Sequence, residues 1–248
     1  MGFYRGPNIV RDGLIVHYDA ASKKSYPGTG TTWYDLSGNG YNVTLNSASI
    51  WSDQGQQSFM DFENGIAKYL PGGSLTNIPG TDTPAITIII FSTIKLPDGD
   101  WKTLVRGDVS RPDHQIIINS GDGVSLGMYD NDAAGFQDTG FDVSSISNRE
   151  NQFNYMVWKL NTSSPYYQFF YNDYTYDGLS SSQATLTTSN ATHNSGFSSI
   201  GGYHNGSNSP TSFSQEFGRM SVFMCYGRHL SESEIRQNYN ALYLRFKP

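Results

Sequence analysis

Acidic residues carry the first chemistry to test. Asp130-Asn131-Asp132 opens like a calcium loop, in which oxygen ligands recur at alternate positions around the ion. The fifth position of that loop is Ala134 and the twelfth is Phe141, which excludes an EF-hand. A single structural calcium held by a few carboxylates and backbone carbonyls stays open, with Asp98, Asp100, Asp130 and Asp132 the best-placed acids. The same residues also suit plain polar β-turns, in which Asp and Asn side chains bond their own backbone. Asp61 and Glu63 alternate, as a nucleophile and an acid/base on one strand would, but Phe59 and Gly65 flank them where further acids would be needed to complete a carboxylate series. Glu232 and Glu234 stand where a helix start explains them. His17, His114, His193, His204 and His229 show neither H-x-x-x-H nor H-E-x-x-H spacing, so a zinc site is rejected. Arg106-Gly107-Asp108 spells a cell-adhesion tripeptide, a match short enough to arise by chance. Sequons at Asn42, Asn161, Asn190 and Asn205 are expected in a chain so rich in Asn, Ser and Thr.

Strands must position these groups. Period-2 apolar patterns place strands at residues 14–19, 86–95, 102–106, 114–119, 124–129, 153–160, 166–172, 198–203 and 217–226. Ile86, Ile88, Ile90 and Ile94 share one face of their strand, and Met220, Val222, Met224 and Tyr226 share one face of the last. Residues 153–160 and 166–172 read as a hairpin across residues 161–165. One helix is expected, after Ser231-Glu232-Ser233-Glu234, a capping box with Leu230 and Ile235 as its hydrophobic staple. Ile235, Tyr239 and Leu242 then form its apolar stripe. Many strands at short intervals predict a sandwich or barrel rather than βαβ units. Residues 1–11 read as an extension and residues 12–248 as one domain; residues 180–208 read as a long surface excursion.

Composition narrows the class. The 248 residues are enough for one large core without staples, and a lone Cys225 leaves no disulfide framework. A net charge of −6 argues against a protein held on nucleic-acid phosphates or anionic lipid. Only 15% of residues are charged while 26 are Gly and 17 are Tyr, a balance that suits half-buried strands joined by tight turns. The longest apolar run, residues 85–91, is too short to span a bilayer, so no membrane association is expected. Residues 1–10 lack the apolar region of a secretory signal.

The order of these segments resembles the concanavalin A-like lectin/glucanase jelly roll in its laminin-G-like form. Residues 13–20 are similar to its opening strand, and Trp33-Tyr34-Asp35-Leu36-Ser37-Gly38-Asn39-Gly40 to its W-x-D-x-S-G-N-G turn. Phe59-Met60-Asp61-Phe62 sits where its strand before an "FDG" turn sits. Ser199-Ile200-Gly201-Gly202, Phe217-Gly218-Arg219-Met220 and residues 228–235 resemble its ending. The opening residues 4–10, with residues 25–33, are similar to versions carried by virion proteins of tailed bacteriophages.

This resemblance implies an all-β, two-sheet antiparallel jelly-roll sandwich with one short C-terminal helix. It also implies a non-enzymatic structural or attachment protein, because the E-x-D-x-E triplet of the family's glucanases is absent. Such a protein would be made in a host cytoplasm and carried in a virion, as a capsid decoration or fibre component. Its partners would be other virion proteins, displayed as a homo-oligomer or in many copies, and host-surface glycans. The alternatives are a carbohydrate-binding lectin module outside a virion and a glycoside hydrolase. Jelly-roll lectins bind through polar turns beside exposed aromatics. Here those turns hold Asp100, Trp101, Asp130, Asn131, Tyr203, His204 and Asn205, with Trp101 and Tyr203 as stacking faces and the acids and amides for hydroxyls. No cofactor is expected beyond the structural calcium, which some laminin-G-like domains bind.

Overall fold

Alternating strands with one buried face need a second sheet to bury it. A computed structural model describes residues 7–63, 65–96, 98–108, 110, 113–120, 124–131, 135–146, 148–172, 184–187, 196–202 and 217–246. Among these residues the chain forms two eight-stranded antiparallel sheets. The first runs β14 (Ala184–Leu186), β13 (Tyr167–Asn172), β12 (Asn154–Asn161), β7 (Ala85–Ser92), β16 (Arg219–Tyr226), β5 (Phe59–Asp61) and β4 (Trp51–Ser52), with β1 (Leu14–Asp19) also paired to β16. The second runs β11 (Gly135–Asp142), β10 (Ser125–Asp130), β9 (His114–Ile118), β8 (Lys102–Arg106), β15 (Ser199–Ile200), β6 (Ala67–Lys68), β3 (Val43–Leu45) and β2 (Thr32–Trp33). The single α-helix among the described residues, α1, spans Glu232–Leu242. The expected jelly-roll sandwich with one short C-terminal helix is the architecture found.

Two cores hold it. Between the sheets, Ile86, Ile88, Ile90, Leu104, Ile116, Leu126, Trp158, Ile200 and Phe223 are fully buried. On the outer side of the first sheet, Ile89, Phe91, Tyr155, Val157, Val222, Met224 and Tyr226 pack under Ile235, Tyr239, Leu242 and Phe246. Each such side chain contributes about 1.5–3 kcal/mol by leaving water. The helix therefore makes β7 and β16 apolar on both faces, which is why they read as near-continuous hydrophobic runs. A bulge between Met220 and Val222 sends Met220 into the inter-sheet core while Val222, Met224 and Tyr226 face the helix, so the four do not share one face. The expected hairpin is present, with Tyr155 opposite Asn172 and Leu160 opposite Tyr167.

The helix starts where its signals say. Ser231 Oγ accepts from Glu234 N, and Glu234 Oε2 accepts from Ser231 N, closing the capping box. Arg228 donates to both Glu234 oxygens at 3.0 and 2.5 Å and lies 2.9 Å from Asp12. That guanidinium, with the Ser231 amide, holds the Glu234 pKa down at about 2. After the helix, Arg245 donates to both oxygens of Asp19 at 2.7 and 2.9 Å, pinning the chain end onto β1.

Candidate functional site

One row of residues crosses the outer face of the second sheet. Thr32, Thr44, Lys68, Ser199, Arg106, His114, Tyr129 and Phe136 are successive cross-strand partners from β2 to β11. Their chain neighbours Trp33, Val43, Leu45, Ala67, Ile200, Val105 and Met128 lie in the inter-sheet core, which leaves the row to the outer face. Simple alternation would put Arg106 and His114 on the wrong side. Two opposed irregularities correct this. β8 carries an extra residue between Thr103 and Val105, and β9 an extra residue opposite the step from Val105 to Arg106. Leu104 and Val105 thus both face inward, while Thr103, Arg106 and His114 meet outside.

His114 is held from both ring nitrogens. Arg106 donates to Nε2 at 2.9 Å, and because a guanidinium has only donors, the ring proton sits on Nδ1 and is donated to Thr103 Oγ1 at 2.8 Å. Lys68, Arg106 and His114 are buried, at 2, 4 and 4% exposure. Burial lowers the Lys68 pKa.

Beyond the basic part of the row lies an aromatic cluster. Trp101, just before β8, stands edge-on to Tyr129 at 5.6 Å and to Phe136 at 5.1 Å, and His114 stands edge-on to Tyr129 at 6.1 Å. Trp101, Tyr129 and Phe136 are all half-buried, so each keeps part of its ring at the surface. Gly127 allows this arrangement. A Cβ there would meet the Gln137 carbonyl at 2.2 Å and the Phe136 ring at 2.7 Å, so the ring lies down over bare backbone.

Several residues expected from sequence meet at this cluster. Trp101 is its centre. Asp130 ends β10 beside it, and Asn131 follows, with its backbone N–H donating to Asp113 Oδ1 at 3.1 Å. Asp100 lies on the exposed bend before Trp101. Asp98 instead accepts from the buried Lys102 at 2.8 Å, and that bond lowers its pKa. Tyr203, His204, Asn205 and Asp132 lie outside the described residues. Among the described residues no three His, Cys, Asp or Glu come close enough to hold a metal; Asp132, one of the four acids expected at a calcium, lies outside them. The Arg106-Gly107-Asp108 tripeptide is not displayed as a ligand, because Arg106 is buried against His114. In the sequence Tyr129 heads the aromatic and polar turn Tyr129-Asp130-Asn131-Asp132, though the stacking faces expected were Trp101 and Tyr203; Phe136 gives no such signal.

A second concave place lies on the opposite sheet. Beside the end of the helix segment, a groove of about 660 Å³ is lined by Trp51, Gln54, Gln57, Phe59, Asp61, Phe153 and Arg219, among others. Phe59 and Asp61 face outward because Met60 between them enters the core. Arg219 pairs with Asp61 across β16 and β5. Its guanidinium lies 5.5 Å over the Phe59 ring, 3.7 Å from Asp61 and 3.8 Å from Glu63. Lys95 stands 3.9 Å from Glu63.

No family model matches the sequence, and no curated protein matches it. Solved structures do share the fold. Trypanosoma rangeli sialidase in complex with sialic acid is similar over 95% of this chain and 34% of its own, with TM-score 0.57 and 13% identity. The same sialidase with a difluoro-KDN ligand gives TM-score 0.58 at 14% identity, again over 34% of its length. The binding domain of botulinum neurotoxin DC in complex with SialylT is similar over 94% of this chain and 52% of its own, with TM-score 0.53 and 12% identity. The chain thus spans about a third of the sialidases and half of the toxin domain.

At these identities the likeness establishes the fold alone, a two-sheet β-sandwich. It also corrects two expectations. Neither of these proteins is a virion component, so the virion assignment, which rested on the family resemblance, the opening residues, the absent triplet and the absent secretion signal, is set aside. One of them is a sialidase, and sialidases are glycoside hydrolases. The absence of the E-x-D-x-E triplet therefore does not exclude an enzyme, because that triplet marks only one way of cleaving a glycan. No helix among the described residues is long and apolar enough to cross a membrane.

Proposed function

We propose that this chain is a glycan-binding module and that it binds at the cluster of Trp101, Tyr129 and Phe136. The observation that carries this reading is three half-exposed rings set edge to face at the end of a polar cross-strand row. Such rings stack on the apolar face of a sugar, while Asp130 and Asn131 at the rim pair with hydroxyls. Further support comes from similar folds in a sialidase holding sialic acid and a toxin binding domain holding SialylT. The site is open and small, so one copy binds weakly, with a dissociation constant of roughly 0.1–10 mM, and display in several copies raises the effective affinity. A glycan array followed by titration of the best ligand tests this. Trp101→Ala with Tyr129→Ala weakens binding at least about tenfold while the melting curve stays cooperative; unchanged binding in the folded double variant overturns the site.

A second reading, glycan cleavage, is favoured by one contact set. Asp61 and Glu63 approach the same Arg219 guanidinium, at 3.7 and 3.8 Å, beside the groove. Release of reducing sugar or sialic acid from the bound glycan measures it. If turnover is seen and falls by about 10³-fold in Asp61→Asn with Glu63→Gln, the pair carries catalysis, since that is roughly 4 kcal/mol of transition-state stabilisation. If no turnover is seen, this reading is discarded and binding is unaffected.

A further inference from the structure

The groove on the first sheet has a property that the ion pairs of Arg228 and Arg245 lack. Arg245 and Arg228 meet their carboxylates at 2.5–3.0 Å, as charge-assisted hydrogen bonds. Around the groove the contacts of Arg219 to Asp61 and Glu63 are 3.7 and 3.8 Å, beyond hydrogen-bond reach. The Arg219 side chain is 45% exposed, and among the described residues its guanidinium has no closer polar partner. Donor and acceptor are therefore held side by side by strand register, yet neither is consumed by the other. Gln57 is different: its amide donates to the Arg245 carbonyl at 2.8 Å, which fixes the opposite wall.

We infer that this groove is a second ligand site, for an uncharged sugar, separate from the aromatic cluster on the other sheet. Phe59 and Phe153, with ring centroids 6.1 Å apart, supply an apolar wall that matches the C–H face of a pyranose. Arg219 donates to a ring hydroxyl and Asp61 accepts from its neighbour, as a vicinal diol requires. Charge decides the ligand class. The groove is lined by one acid, Asp61, and one base, Arg219, so a charge of either sign on the ligand gains from one and is opposed by the other. A neutral polyol meets no such penalty. The volume, about 660 Å³, lies within the range of small-molecule sites. The inference rests on the glycan-binding reading and adds a site to it; it does not require cleavage.

The test uses the full chain and three neutral disaccharides, maltose, cellobiose and lactose, with sialyllactose as the charged comparator, read by saturation-transfer NMR and titration. The expected result is millimolar binding of at least one neutral disaccharide. Arg219→Met, which keeps the stem over Phe59, and Asp61→Asn each weaken it at least about tenfold. Trp101→Ala with Tyr129→Ala leaves that binding in place. Loss in Trp101→Ala with Tyr129→Ala but not in Arg219→Met overturns the groove and leaves the first site standing. Preference for sialyllactose that Arg219→Met abolishes, or no neutral disaccharide bound by the unaltered chain, also overturns it.

Discussion

A base buried without a partner makes stability depend on pH. His17 lies on β1, 7% exposed, and neither ring nitrogen has a hydrogen-bond partner among the described residues. Burial lowers its pKa from 6.5 to about 4, with Asp19 opposing the shift and Arg11 adding to it. The unfolded chain takes up this proton near pH 6.5 and the folded chain only near pH 4. Between those values the unfolded state binds more protons, so stability falls as pH drops through the window. The full loss is roughly 3 kcal/mol. His17→Leu removes the titration and keeps an apolar volume on the strand. Urea unfolding of both proteins at about pH 7 and about pH 4.5 is the measurement. The variant should gain on the parent at the lower pH by about 2–3 kcal/mol, and an equal difference at both values would show that His17 is not the titrating group.

Elements decide what was legible. The capping box at Ser231 and the hairpin of β12 and β13 were readable because their signals are local: a few residues fix a cap, and alternation either side of a polar turn fixes a hairpin. The outward turn of Arg106 and His114 was not, since a bulge depends on how two strands align and leaves no mark in either strand alone. β11 was missed for a related reason. Its sequence, GFQDTGFD, is polar and half-exposed along its length, as an edge strand can be. The turns that mix aromatic and polar residues at Trp101 and at Asp130 and Asn131 were legible, and the second sheet brings them to one end. The groove was not, because the hairpin that carries Trp51 and Phe59, the segment at Phe153 and the strand of Arg219 are three distant stretches brought together only by the fold. The pairing of β10 with β11 carries its own prediction. Gly127→Ala places a methyl 2.2 Å from the Gln137 carbonyl and against Phe136, so β11 must move. Overpacking of this kind costs about 1–3 kcal/mol, or several degrees in melting temperature for a chain of this size. Glycan binding at the Trp101 cluster should fall with it, because Phe136 loses its seat, while ligands in the groove are unaffected. A variant that melts as the parent does and binds equally well would show that the close approach is relaxed in solution.

At the scale of the whole molecule, the helix is what lets two different faces coexist on one sandwich. The second sheet carries the polar row on its outer face, and the aromatic end of that row keeps Trp101, Tyr129 and Phe136 partly exposed. The first sheet is apolar on both sides, and α1 with the residues after it covers most of the outer core described. Tyr239 and Phe246 stack on Phe91 at 6.5 and 4.4 Å, and Tyr155 donates to the Ile235 carbonyl at 2.8 Å, so the cover is bonded as well as packed. Val10 joins the same layer, with its N–H donating to Asn238 Oδ1 at 2.8 Å. Ending the chain after Ser231 would bare Ile89, Phe91, Tyr155, Val157, Val222, Met224 and Tyr226 together. Seven large side chains on adjoining strands exceed the roughly 300–600 Å² patch that a soluble monomer ordinarily tolerates. The shortened chain should therefore bind an apolar dye such as ANS and self-associate, as light scattering against concentration would show. Strand content by circular dichroism should persist, because the inter-sheet core does not use the helix. A shortened chain that stays monomeric, dye-silent and as stable as the parent would mean that the outer side of the first sheet does not need its cover, and that the second core contributes nothing to holding the groove and its Phe153 wall in place.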